Sequence, residues 1–231
     1  MRMLLGYYGL NLPEDEIQAA FPITANPEIG FRGDVDGDTG FADYGAHAPA
    51  VAAALQTLLE RAGRPYEPSW QTFSSRDEAL AAVHALLSDH TPVIVWMTWY
   101  ARSGQVPTTQ VVDVPDPVTL VYGEHVEVAY GLEGRVMYVI DPYSYTKQDG
   151  RTVRTRPNGF RYTWKNGPPG WEYFRYAIVY LRERPSYVPP FLSLGLRDPA
   201  FEPGGGPEAL TACGRGPVAQ VPASSTPGGL R

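Results

Sequence analysis

Residues 123–142 read GEHVEVAYGLEGRVMYVIDP. Two apolar, β-rich runs flank Glu133-Gly134, a dipeptide that predicts a hairpin turn. His125 opens the first run. Asp141 closes the second, just before Pro142, which cannot donate to a ladder. A hairpin folded at Glu133-Gly134 brings these two residues to one end of the strand pair. A strict two-residue loop leaves them one position out of register. A single bulge or a three-residue loop sets them directly opposite, on one face. An imidazole held by a carboxylate is the base and orienter of a nucleophilic triad. Plainer roles suit the same residues: Asp before Pro is a common turn former, and a histidine at a strand start often serves structure alone.

Upstream of this hairpin the patterns are helical. Met1–Tyr8 carries an apolar stripe of Met3, Leu4, Tyr7 and Tyr8, closed by Gly9. No N-cap precedes it, so the expectation is a chain that begins inside its first helix, with sequence missing ahead of it. A short second helix, about Glu14–Phe21, follows Pro13 with acids in its first turn. Residues 25–48 form a loop rich in Gly and Asp. AVAAALQTLLERAG, from Ala50, reads as a helix stopped at Gly63, and Ser75-x-x-Glu78 is a capping box opening another to about Leu87. PVIVWMTW (92–99) is a continuous apolar run, the mark of a buried strand. Residues 101–117 read as a polar loop, Val118–Tyr122 as a strand, 143–172 as a long Gly/Pro/Tyr-rich connection, and Tyr173–Leu181 as a final strand. Helices first and an antiparallel sheet after them make the fold class α+β. The expected domain spans 1–184. Residues 185–231 form a Pro/Gly-rich tail expected to be disordered.

Composition excludes several functions. Nineteen Lys and Arg against 25 Asp and Glu give the 231-residue chain a charge of −6. There is no basic stripe for nucleic acid and no polybasic patch for a membrane. No apolar run approaches the roughly 20 residues of a membrane span, and the first residues lack a signal-peptide pattern. Cys213 is the sole cysteine, so neither an internal disulfide nor a cysteine-based zinc site is expected.

Four segments, in order, resemble the peptidase C39-like family, the bacterial double-glycine-leader peptidase type of the papain-like superfamily. They are MRMLLGYYGL; Gly30-Phe31-Arg32-Gly33-Asp34 continuing to Tyr44-Gly45-Ala46-His47-Ala48-Pro49; Thr91-Pro92-Val93-Ile94-Val95-Trp96; and Gly123-Glu124-His125-Val126 with Ile140-Asp141-Pro142. The resemblance covers about residues 1–181. It implies a papain-like fold, N-terminal helices packed on an antiparallel sheet, and hydrolysis of a peptide or protein substrate by thiol acyl transfer. It implies His125 as general base and Asp141 as orienter, no cofactor, and a bacterial envelope or exported setting. The family's nucleophilic cysteine and its oxyanion-hole glutamine correspond to positions ahead of Met1, so the chain as given is expected to be inactive. A helix N-terminus suits such a cysteine because its partial positive charge stabilises a thiolate. Cys213, in the Pro/Gly-rich tail, does not replace it. The alternative reading is a module that binds peptides without cutting them, with His125 and Asp141 kept as structure.

The remaining candidates read as structure. Asp34, Asp36 and Asp38 alternate as in a calcium loop, but Thr39 and Gly45 occupy positions that need glycine and an acid. His47 reads as a loop residue, His84 as a helix-face residue and His90 as a partner for a helix C-terminus. The histidines lack metal-ligand spacing. Gly204-Gly205-Gly206 lacks the Lys and Ser/Thr of a phosphate loop. Trp96 and Trp99 read as core, and Trp164 and Trp171 as groove lining or a plug of the sheet edge.

Overall fold

The computed structural model describes residues 1–185 except 36, 38–39, 143–144, 149–150, 155–157 and 164–165; between 143 and 165 only the Tyr162 side chain is described. All of these residues belong to the first of the two units into which the chain divides, Met1–Pro190 and Phe191–Arg231. The Pro/Gly-rich tail, the Gly204–Gly206 run, Cys213, Asp36, Asp38 and Trp164 lie outside the described residues.

The elements in order are α1 (Arg2–Tyr7), α2 (Glu14–Gln18), α3 (Ala48–Arg61), β1 (Tyr66–Gln71), α4 (Arg76–Ser88), β2 (Val93–Thr98), α5 (Trp99–Arg102), β3 (Thr109–Asp113), β4 (Pro117–Val121), β5 (Glu124–Glu133), β6 (Val136–Asp141), β7 (Tyr145–Gln148), β8 (Arg151–Arg154), β9 (Asn158–Thr163), a 3₁₀ turn (Trp171–Phe174) and β10 (Ile178–Glu183). Six strands form one sheet in the order β1-β10-β2-β5-β6-β9, and every neighbouring pair is antiparallel. Helices and an antiparallel sheet make the fold α+β.

Local chemistry explains the long helices. In α3, Pro49 sits in the first turn, where its missing N–H costs nothing. Ala and Leu then fill a helix that buries Ala48, Val51, Ala52, Leu55, Leu58 and Leu59. Each fully buried leucine there contributes about 2 kcal/mol. α4 opens as its capping box predicts: Ser75 Oγ accepts the Glu78 N–H at 3.3 Å. The Glu78 carboxylate reaches one residue further back than the motif implies and takes the Ser74 N–H and hydroxyl. All six side chains of β2 are buried, as its unbroken apolar run requires of a central strand.

The structure corrects several expectations. α2 stops at Gln18, short of Phe21. β1 lies in a segment without a strand signal, because Tyr66–Gln71 contains Pro68; β1 is an edge strand, where proline is tolerated. The polar loop at 101–117 holds the end of α5 and all of β3, which pairs with β4 as a separate hairpin. That hairpin has its own small core of Tyr44, Val118 and Leu120 with Phe41, Val112 and Val114, which is why β3 needs no apolar run. The connection 143–172 contains β7, β8 and β9, and β9 extends the main sheet beside β6. The last strand begins at Ile178, after the 3₁₀ turn and two residues with positive φ, Arg175 and Tyr176.

Candidate functional site

The 123–142 hairpin forms with its turn one residue later than expected. Gly134 and Arg135 make the loop, because the position with φ +57° calls for glycine. A bulge lies between Ala129 and Gly131, and beyond it Val128 pairs with Ile140. Continued one step, that register sets Asp141 across from Glu127. His125 is therefore the diagonal neighbour of Asp141, not its direct partner, yet it shares the same face. The imidazole bridges the diagonal: His125 Nε2–H donates to Asp141 Oδ1 at 2.6 Å. The Asp141 side chain is fully buried and that of His125 is 7% exposed.

Arg102, Glu127 and Tyr162, which the sequence did not single out, complete this face together with Trp99, which is half-buried here and not part of the core as expected. The Trp99 ring lies against the His125 ring, with centroids 4.7 Å apart and planes tilted by 33°. The Arg102 guanidinium stacks on Trp99 at 4.4 Å. Arg102 Nη2 donates to Glu127 Oε1 at 2.6 Å, and Nη1 lies 3.8 Å from Asp141 Oδ2. The Tyr162 hydroxyl accepts from Arg102 and donates to Glu127 Oε1 at 2.9 Å. Burial raises the Glu127 pKa and Asp141 adds to the rise, while the Tyr162 hydrogen bond and the charges of Arg102 and His125 oppose it. Glu127 follows Val126 in strict alternation, the pattern of a solvent-facing residue; its burial under α5 is a tertiary effect.

A second polar cluster sits across β5. Trp96 Nε1–H donates to Glu124 Oε1 at 2.8 Å. His47, the N-cap residue of α3, donates from Nδ1 to Glu28 Oε1 at 2.7 Å, and its Nε2 is 3.0 Å from the Tyr44 hydroxyl. That hydroxyl also accepts the Val121 N–H. Burial pushes the Glu124 carboxyl up to about 7, against the opposing charge of His47 and hydrogen bonds from Tyr44 and Trp96. For His47, burial alone would lower the pKa; the Glu28 hydrogen bond and the charges of Glu124 and Glu28 outweigh it and raise it. His47 is thus a network residue, not a plain loop residue.

Other candidates lie apart. His84 is on α4 with its ring near Ser88 Oγ. His90 follows α4 with φ +54°, and its carbonyl accepts the Tyr7 hydroxyl. Trp96 and Trp171 are buried in the main core. Among the described residues no group of three or more His, Cys, Asp or Glu could hold a metal ion, and no helix is long and apolar enough to cross a membrane.

No curated protein matches this chain. The crystal structure of a protein from Bacillus anthracis, described as a C39-like peptidase, shares the fold with a TM-score of 0.58. The likeness covers 79% of this chain and 86% of that one, at 16% sequence identity. The profile of the Peptidase_C39 like family matches residues 1–167. A match over that much of a 231-residue sequence shows that the chain belongs to the Peptidase_C39 like family.

Proposed function

We propose that this fold serves a thiol peptidase in which His125 is the general base and Asp141 its orienter. The observation that carries the reading is the buried 2.6 Å hydrogen bond between them on a C39-like frame. On this reading hydrolysis requires a cysteine at the head of the first helix. With Nε2–H donated to Asp141, the thiol proton passes to His125 Nδ1. The thiolate attacks the peptide carbonyl, and the C–N bond breaks as the imidazolium protonates the departing amine. Water, deprotonated by the same ring, then releases the acid. The tail of α1 is fixed by Tyr7 to the loop before β2, whereas His125 pairs with Met97 near the other end of that strand. This arrangement suits a helix whose head is directed towards the imidazole.

The reading is tested by the nucleotide sequence ahead of the Met1 codon and by the protein it encodes. An in-frame Gln and Cys shortly upstream, with peptide cleavage by that protein, is the expected result. A stop codon immediately upstream refutes it.

A second reading keeps the buried His125–Asp141 pair as structure. On this reading the domain binds peptides and leaves them intact. The two readings separate by mass spectrometry of a peptide library incubated with the verified full-length protein. Retention without new termini supports the binding module, and new termini support the peptidase.

A further inference from the structure

The face around His125 holds two carboxyl groups and two basic groups, with the Tyr162 phenol bonded among them. The Glu127 and Asp141 side chains are fully buried, His125 is 7% exposed and Arg102 is 24% exposed. Two carboxylates on neighbouring strands cannot both stay ionised in such a place without a cation. Arg102 supplies one, and how it divides itself decides what His125 receives. A guanidinium prefers to grip a carboxylate through two parallel N–H groups. Were Arg102 to grip Asp141 in that way, it would compete with the imidazole for Asp141 Oδ1. In the structure the short contact, 2.6 Å, goes to Glu127, and Asp141 is left at 3.8 Å, beyond hydrogen-bond length. Tyr162 fastens the guanidinium on the Glu127 side, since its hydroxyl bonds to both partners. Trp99 packs against both the guanidinium and the imidazole.

We propose that Arg102 and Glu127 are a pair of positioning residues: Glu127 holds the guanidinium away from Asp141, and so keeps the Asp141 carboxylate available to orient His125. This rests on the assignment of His125 and Asp141 as base and orienter and adds the device that maintains it. With an imidazolium present, two cations face the two carboxylates.

The test uses the intact chain labelled with ¹⁵N-histidine. It has only four histidines, and the His125 signals are identified by their loss in H125A. The readout is the fraction of neutral His125 rings that carry the proton on Nε2. In the wild type that tautomer dominates. E127Q keeps the shape and the acceptor oxygen but removes the charge; Arg102 turns to Asp141, and the Nε2–H fraction falls at least twofold. In the double variant R102Q/E127Q the guanidinium no longer competes for Asp141, and the fraction returns to the wild-type value. A purely structural role for Glu127 predicts the opposite order, with the double variant the more disturbed. An unchanged tautomer in E127Q, or one not restored in the double variant, overturns the proposal. Where E127Q alone does not fold, the double variant decides: a wild-type tautomer supports the pairing and a lost one refutes it. The readout needs no turnover, so its failure is distinct from a failure of the peptidase reading. In a thiol-bearing form, E127Q lowers kcat about tenfold with KM unchanged.

Discussion

Glu124 and His125 are neighbours in sequence and belong to different networks. Glu124 meets Trp96, and by charge or hydrogen bond Tyr44, His47 and Glu28; His125 meets Asp141 and Trp99. Burial raises the Glu124 carboxyl from 4.5 to about 7, so the folded chain holds a proton that the unfolded chain releases. The stability this group contributes is therefore complete below about pH 4.5 and is lost as the pH rises through 7. The rise corresponds to about 3 kcal/mol. Denaturant midpoints of wild type and E124Q at pH 5 and pH 8 check the sign. E124Q should gain on the wild type between those values, by up to about 3 kcal/mol, and a gap that does not change with pH contradicts the assignment. Asp141→Ala should lower kcat of a thiol-bearing form while leaving measurable turnover, because orientation is weakened and the base itself remains; an unchanged kcat removes Asp141 from the orienter role. The His125–Asp141 pair was legible because strand alternation and Pro142 mark both ends of a hairpin. Arg102, Trp99 and Glu127 were not, because they meet only through tertiary structure. Arg102 lies in a segment without periodicity, and Glu127 follows a solvent-facing pattern although α5 covers it.

At the scale of elements, the hairpin register depends on a bulge that has no strong sequence mark. The alternation of 124–129 fixed the face, and glycine at 134 fixed the turn only to within one residue. Two glycines bracket β5 in different surroundings. Gly123 has φ +74°, and a Cβ there would lie 2.8 Å from the Tyr100 ring. Its carbonyl also accepts the Trp99 N–H at 3.1 Å, which ties α5 to the start of β5. Gly134 has φ +57° with open space around it. Gly134→Ala should cost about 1 kcal/mol, the backbone term alone. Gly123→Ala should cost more, about 2–3 kcal/mol, because a ring must also move. Chemical denaturation of the two variants tests the order, and equal losses would show that α5 yields freely. β1 and β3 escaped the sequence reading for separate reasons. One is an edge strand containing Pro68, and the other packs on a small satellite core instead of the main one.

Across the whole molecule, Leu181 is the last buried residue of the main core among the described residues, and β10 pairs with both β1 and β2 inside the sheet. We therefore propose 1–184 as the folding domain. A chain ending at Arg184 should melt within about 2 °C of the full chain, a difference below 1 kcal/mol; a fall of ten degrees would assign residues 185–231 to the fold. The α+β class was readable because helical periods precede β-rich runs, while of the two outer strands β9 was hidden in a connection without apolar alternation and β1 by its proline. The central claim is that this C39-like frame sets His125 as the base of a thiol peptidase. Its most direct measurement is the rate of peptide hydrolysis by a thiol-bearing form of the protein, with and without His125→Ala. The account predicts a loss on the order of a thousandfold with the melting temperature preserved, and turnover within about threefold of the parent, above experimental scatter, would contradict it.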